Sequence, residues 1–424
     1  MTILGDLLST IFERRYRTAT PARRDNRPTE ELVDALAGTA GESTVAAAAS
    51  TLLQRFQDME DGEKLQLFRH LAHDMNIDPV AVRTALDAYE ATPNRKTYTA
   101  FMAAVEPKRQ ELIRRLNQIP GATEQLVRMR ADLLRLGGSD PELQALDQDF
   151  RHLFISWFNR GFLVLRPISW ESPAHILEKI IAYEAVHEIT SWEDLRSRLA
   201  PGDRRCFAFF HPSMPDEPLI FVEVALTDGI PGSIQDLLAG EREPITAATA
   251  RTAVFYSISN CQEGLARISF GNSLIKQVAA DLAAELPNLK TFVTLSPIPG
   301  LTKWLSAEGI AYEDADQKQL RTLAAYYLLS ARRQDGQPAD PVARFHLGNG
   351  AQVHAVHADA DTSAKGRAQS AGVMVNYLYD LGKVAQNHDR YAADREIAAS
   401  SDIKALDAGA KKLDLRPKQT EQQA

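Results

Sequence analysis

Cysteine is nearly absent from this chain: Cys206 and Cys261 are the only two, with no C-x-x-C spacing. A disulfide framework and a cysteine-based zinc site are thereby excluded, and a reducing compartment fits. Long apolar runs are missing too. No stretch approaches the ~20 residues that a membrane-spanning helix needs, and the start of the chain shows no apolar segment followed by a small-residue cleavage site. A cytoplasmic protein without a membrane partner is therefore expected. Positive charge is in deficit, with 48 Lys and Arg against 56 Asp and Glu, a net charge of −8. Phosphate-backbone recognition leaves a broad basic surface, so a nucleic-acid partner is not expected, and an anionic ligand would need a local site. No G-x-S-x-G nucleophile elbow and no fixed-period repeat occur.

What is present is ordinary globular material, 44% hydrophobic and 25% charged over 424 residues. That length exceeds what one hydrophobic core usually serves, so two domains are expected. The arginines at 14, 15, 17, 23, 24 and 27, interrupted by Asp6, Glu13 and Asp25, read as a solvated first helix rather than a transit peptide. From about Thr29 to Asn159 apolar residues recur at helical spacing, as in Leu52, Leu53, Phe56 and Met59, then Leu65, Phe68, Leu71 and Met75. Breaks at Asn76 to Pro79, Pro93, Pro107, Pro120-Gly121 and Gly137 to Pro141 cut this half into helices of ordinary length, which predicts an antiparallel bundle over residues 1–160. After Trp157 the pattern changes. Apolar runs at Gly161 to Leu165, Cys206 to Phe210, Leu219 to Leu226 and Ala253 to Ile258 predict strands. Between them Pro173 to Ala185, Trp192 to Leu199, Ile234 to Leu238 and Leu274 to Leu286 predict helices, so residues 161–400 form an α/β or α+β domain. Residues 401–424 are polar and lack aromatics, which predicts a frayed tail.

Three segments can carry chemistry. The stretch Ala253 to Gly300 reads as a β-loop-α-β unit whose loop, Asn260 to Gly271, feeds a helix amino terminus. Free N–H groups there can hold phosphate, with Gly264 and Gly271 allowing close backbone approach and Arg267 and Lys276 adding charge; turn chemistry is the plainer alternative. Straight after the second strand, Ser296-Pro297-Ile298-Pro299-Gly300 presents Ser296 on a path fixed by prolines, where open α/β sheets hold their ligands. Farther on, Arg344-Phe345-His346-Leu347-Gly348-Asn349-Gly350-Ala351 carries an Asn-Gly hairpin signal, which places His346 on a strand beside a tight turn. His354, His357 and Asp359 do not make a metal set, because residues three apart on a strand face opposite sides.

These segments resemble the malonyl-CoA decarboxylase family. The landmarks are Ser156-Trp157-Phe158 with Gly161-Phe162-Leu163, Tyr183 to His187, Glu217-Pro218-Leu219, Phe255 to Ser259, Leu274-Ile275-Lys276, Leu295 to Gly300 with Thr302 to Leu305, Phe345-His346-Leu347 with Asn349-Gly350-Ala351, and Met374 to Tyr377. The likeness spans roughly residues 43 to 380. It implies an α+β chain in two domains, a helical amino-terminal bundle that mediates oligomerisation and a carboxyl-terminal domain with the GNAT acyltransferase fold. It further implies a substrate-binding loop at Ala266, Arg267, Ile268, Ser269, Phe270, Gly271 and Asn272, and catalysis by Ser296 and His346, both also touching substrate. The chain departs from the family in carrying Ser269 where several eukaryotic members have glutamate, in lacking an insertion between serine and histidine, and in lacking a Ser-Lys-Leu ending, which together suggest a compact bacterial-type enzyme.

The resemblance implies conversion of malonyl-CoA to acetyl-CoA and carbon dioxide through an enolate, with no cofactor and no metal, in a homodimer or homotetramer. Histidine suits acid–base work because its pKa lies near working pH, and a hydroxyl fixed by prolines suits orientation of the carboxylate. Asp359 and Asp361 are candidates to orient the imidazole. Two other readings stay open: a GNAT-like malonyl or acetyl transferase, revealed by an acceptor-dependent product, and a non-catalytic acyl-CoA sensor, revealed by binding without turnover.

Overall fold

The structure, a computed structural model, describes residues 25–38, 41–240, 242–268 and 274–411. The solvated first helix expected near residues 6–27 lies, apart from residues 25–27, outside the described residues, as do residues 412–424. Contacts divide the chain into two compact units.

One unit holds residues 1–164 together with 210–219 and 262–270. Its helices are α1 Thr29–Ala37, α2 Glu42–Asp58, α3 Asp61–His73, α4 Pro79–Ala91, α5 Arg95–Val105, α6 Lys108–Asn117, α7 Ala122–Gly137 and α8 Pro141–Trp157. Their starts follow from capping chemistry. Asp78 accepts from the Val80 and Ala81 amides with Pro79 in the first turn, Asn94 forms a capping box with Thr97, and Asp140 accepts from Glu142 and Leu143 ahead of Pro141. The expected apolar stripe is the core: Leu52, Phe56, Phe68, Leu71, Leu112, Leu126, Phe150 and Phe154 are all buried. Leu265 and Ile268, far along the chain, join the same cluster. Gly264 lacks a side chain for a packing reason rather than the ligand reason considered above, since a Cβ there would lie 1.8 Å from the Val127 carbonyl of α7.

The other unit centres on an eight-stranded sheet. In chain order its elements are β1 Val164–Ile168, α9 Ala174–Tyr183, α10 Trp192–Leu199, β2 Arg204–His211, β3 Met214–Thr227, α11 Ile234–Leu238, β4 Thr252–Asn260, α12 Leu274–Glu285, β5 Thr291–Thr294 and β6 Ser296–Pro297. There follow α13 Leu301–Ala307, α14 Gln317–Ser330, α15 Pro341–Gly348, β7 Gln352–His357, α16 Ala364–Ser370, β8 Met374–Leu378, α17 Val384–Asp394 and α18 Ser401–Ala410. Strands run β1-β2-β3-β4-β5-β8-β6, with β7 also on β8. β4 and β5 are parallel, registered from Thr252↔Thr291 to Phe255↔Thr294, while β3–β4, β5–β8, β6–β8 and β7–β8 are antiparallel. Beyond Phe255 and Thr294 the parallel pair separates: β4 runs on to Asn260, whereas the chain leaving β5 turns through Ser296 and Pro297 to pair with Val375 and Met374 of β8. This β4-loop-α12-β5 unit is the one the sequence predicted.

Two expectations are corrected. The Phe345-His346-Leu347 segment is helical, not a hairpin strand: Asp340 caps α15 with Pro341 in its first turn, and Asn349-Gly350 ends it, Gly350 with φ 84°. The start of the expected frayed tail is a packed helix, α18, capped by Ser400, with Ile403 and Ala410 buried. No helix among the described residues is long and apolar enough to cross a membrane.

Candidate active site

The cleft where β4 and β5 part is a cavity of about 240 Å3 lined by Ile220, Phe255, Tyr256, Ile258 and Asn260 on the sheet side, Ser296 and Pro297 from β6, Pro341, Val342, Phe345 and His346 from α15, and Val186. Among these described lining residues none carries a formal charge. Ser296 and His346, fifty positions apart in sequence, meet here with Ser296 Oγ 3.2 Å from His346 Nε2, and both are nearly buried, at 6% and 2% exposure.

Each partner is held from behind. The Ser296 hydroxyl donates to Thr294 Oγ1 at 2.8 Å, and that oxygen also accepts the Tyr377 amide at 3.1 Å. His346 Nδ1 lies 2.8 Å from the Tyr379 hydroxyl. Burial pushes the Tyr379 pKa well above its ordinary value, so the phenol keeps its proton; with the Ser296 hydroxyl already given to Thr294, Ser296 Oγ accepts from Nε2–H and Nδ1 is left to accept from Tyr379. The imidazole is then the Nε2–H tautomer, which donates toward Ser296 Oγ. A chain of donors runs Tyr379 to His346 to Ser296 to Thr294. The Tyr377 ring stacks on the imidazole at 4.4 Å between centroids. Desolvation lowers the His346 pKa to about 3, so at neutral pH the ring is uncharged.

The structure thus brings together the two residues expected to do chemistry and corrects their surroundings. Asp359 and Asp361 do not orient the imidazole. Asp359 accepts from Gln317 and Asp361 from Gln235 and the Ser363 amide, while Tyr379 takes the orienting place. Of the expected binding loop, Ala266, Arg267 and Ile268 belong to the helical unit, where the Ala266 carbonyl accepts from Arg130 and Arg267 takes a left-handed φ of 64°. Ser269, Phe270, Gly271 and Asn272 lie outside the described residues. Thr294, Tyr377 and Tyr379 were not anticipated as site residues. Spacing of two along a strand was the available signal, since it puts Thr294 beside Ser296 and Tyr377 beside Tyr379 on one face.

Fold and site define an α+β protein with a helical amino-terminal unit and a buried serine–histidine pair at the cleft where two interior strands of a mixed sheet part. The sequence matches the malonyl-CoA decarboxylase C-terminal domain over residues 161–316 and 309–423, and the N-terminal domain of the same family over residues 75–158. The mitochondrial malonyl-CoA decarboxylase of Mus musculus is 32% identical over 411 residues, 82% of each chain. Crystal structures of malonyl-CoA decarboxylase from Agrobacterium vitis and Rhodopseudomonas palustris superpose with TM-scores of 0.84 and 0.83 at 48% and 47% identity, covering 89% of this chain and 99% and 98% of theirs. The chain belongs to the malonyl-CoA decarboxylase family.

Proposed function

We propose that this chain is a carboxy-lyase that converts malonyl-CoA to acetyl-CoA and carbon dioxide, with Ser296 and His346 as the reacting pair. The observation that carries this reading is the 3.2 Å Ser296–His346 contact, backed by Tyr379 and Thr294, at an uncharged cavity in a chain of this family. Decarboxylation breaks the bond between carbon 2 and the carboxylate, and the electron pair moves into the thioester to form an enolate, which then takes a proton at carbon 2. A carboxylate placed among Ile220, Ile258, Val342 and Phe345 loses its water, which favours departure as neutral carbon dioxide.

His346 acts as a neutral donor. Its Nε2–H stabilises the growing charge on the thioester oxygen, and Tyr379 prevents the opposite tautomer. Ser296 orients the carboxylate, and the proton that carbon 2 takes up comes from water and is relayed through the Ser296–His346 pair, each group regaining the proton it passes on. The loop Ala266 to Asn272 holds the coenzyme A portion. The same reading places the protein in the cytoplasm, in keeping with the buried thiols of Cys206 and Cys261, and in a homodimer or homotetramer assembled through the helical unit. There α4 and α5 bury no residue and expose Val80, Leu86, Tyr98 and Met102. Light scattering of the purified chain tests the assembly.

The activity is tested by incubating the chain with malonyl-CoA alone and following acetyl-CoA and carbon dioxide by mass spectrometry. Equal amounts of both are expected. Product that appears only with an added amine would instead mark an acyltransferase, and tight binding of intact malonyl-CoA a sensor.

A further inference from the structure

Asp340 is fully buried and sits between two helix amino termini. Its Oδ1 accepts the Ala343 amide at 2.8 Å, which caps α15, the helix whose last turn carries His346. The carboxylate is also faced by the Gly300 amide. Gly300 ends the Ser296-Pro-Ile-Pro-Gly loop and is the N-cap of α13. A side chain at Gly300 would lie 2.2 Å from the Tyr327 hydroxyl and 3.7 Å from Asp340 Oδ2, so the loop is pressed onto this spot with no room to spare. Pro341 and Val342, the residues next to Asp340, form part of the cavity wall. One carboxylate therefore touches the segment leaving the serine and the segment leading to the histidine.

We infer that Asp340 is a positioning residue of the reaction, holding the helix that carries His346 in register with the loop that carries Ser296. This rests on the reading of Ser296 and His346 as the reacting pair. Two helix amino termini favour the charged carboxylate, while burial opposes it and raises its pKa to about 6. The other titratable or charged side chains that face it are Tyr327, Tyr377 and Arg344, of which the two tyrosines stay protonated. Protonation of Asp340 weakens both amide contacts, so turnover falls as the pH drops through about 6. His346 does not supply this limb, because its own titration lies near 3.

Two variants test the role, read as kcat, KM and pH profile with malonyl-CoA. Asp340→Ala is expected to lower kcat about 10–100-fold with KM changed less than about twofold, the signature of a displaced reacting group. Asp340→Asn keeps an acceptor for the Ala343 amide and cannot ionise; it is expected to recover most of the kcat and to lose the acid limb near pH 6. Its thermal midpoint at pH 8 is expected to be no lower than that of the parent, because no buried charge remains. Wild-type kcat in Asp340→Ala, an acid limb that survives in Asp340→Asn, or a parent profile flat to pH 5 would overturn the role. Should the alanine variant fail to fold, the asparagine variant decides alone. Wild-type turnover in His346→Asn would sink the reacting pair and this inference with it, whereas an inactive His346→Asn beside a fully active Asp340→Ala overturns the positioning role alone.

Discussion

In the helical unit Arg109 and Arg130 are buried and answered: Arg109 bonds Asp149 and the Ala72 carbonyl, and Arg130 bonds Asp147 and the carbonyls of Gly264 and Ala266. In the sheet unit buried polar groups are left short. Among the described residues, Glu223 Oε1 and the hydroxyls of Tyr256 and Tyr377 have no hydrogen-bond partner, whereas in the helical unit the leftovers are Arg130 Nη2 and His70 Nε2. Burial has pushed Glu223 up to about 8 and His346 down to about 3. A buried group answered by an opposite charge, as Arg109 is by Asp149 and Arg130 by Asp147, holds structure together. One buried with no opposite charge facing it, as His346 is, has its proton affinity displaced by desolvation, and such groups gather where chemistry is done.

Mutation can break this contrast. The largest effect is expected at the pair itself, where Ser296→Ala and His346→Asn should each lower kcat by about 10²–10⁴-fold in steady-state assays with malonyl-CoA while leaving the urea midpoint close to that of the parent. Arg130→Ala should do the reverse, leaving Asp147 and two carbonyls without their cation at a cost of about 3–5 kcal/mol in urea unfolding, with kcat per folded molecule unchanged. Loss of turnover without loss of stability in Arg130→Ala would mean that its bond to the Ala266 carbonyl serves the substrate loop rather than the core. Third comes acid stability. His346 is neutral in the fold down to about pH 3 but takes a proton near 6.5 when unfolded, so the unfolded state binds more protons between those values and stability falls as pH drops through that window. Urea titrations at pH 7 and pH 4 should therefore show a loss smaller in His346→Asn than in the parent by on the order of 2–4 kcal/mol. The smallest effect is expected for Tyr379→Phe, which frees the imidazole tautomer and should lower kcat roughly tenfold without moving KM.

Much of this was legible in sequence because it is local. The strands at Cys206 to Phe210, Leu219 to Leu226 and Ala253 to Ile258, and the helices Trp192–Leu199 and Ile234–Leu238, have their own apolar patterns and lie where predicted. The helix carrying His346 was misread because eight residues show barely two turns of periodicity, and Asn349-Gly350 fits a helix end as well as a hairpin. Asp340-Pro341, an N-cap followed by a first-turn proline, was the overlooked clue. That Ser296 and His346 belong together was suggested by family resemblance, which carries long-range information that spacing does not, and the two side chains do meet. Tyr379 was missed because its bond to His346 spans thirty-three positions and exists only once β8 is paired. The helix Ser401–Ala410 was hidden by polar composition, its few apolar residues sufficing because the helix packs against α14, with Ile403 and Ala410 buried.

The glycine at 264 bears on how the molecule is made. Leu265 and Ile268 complete the core of the amino-terminal helices, and Gly264 lets that segment lie directly on the Val127 carbonyl. During synthesis the helical half therefore cannot close its core when residue 164 leaves the ribosome. It must wait until about a hundred further residues have emerged, so a protein truncated just after α8 would lack the segment that seals its own interior.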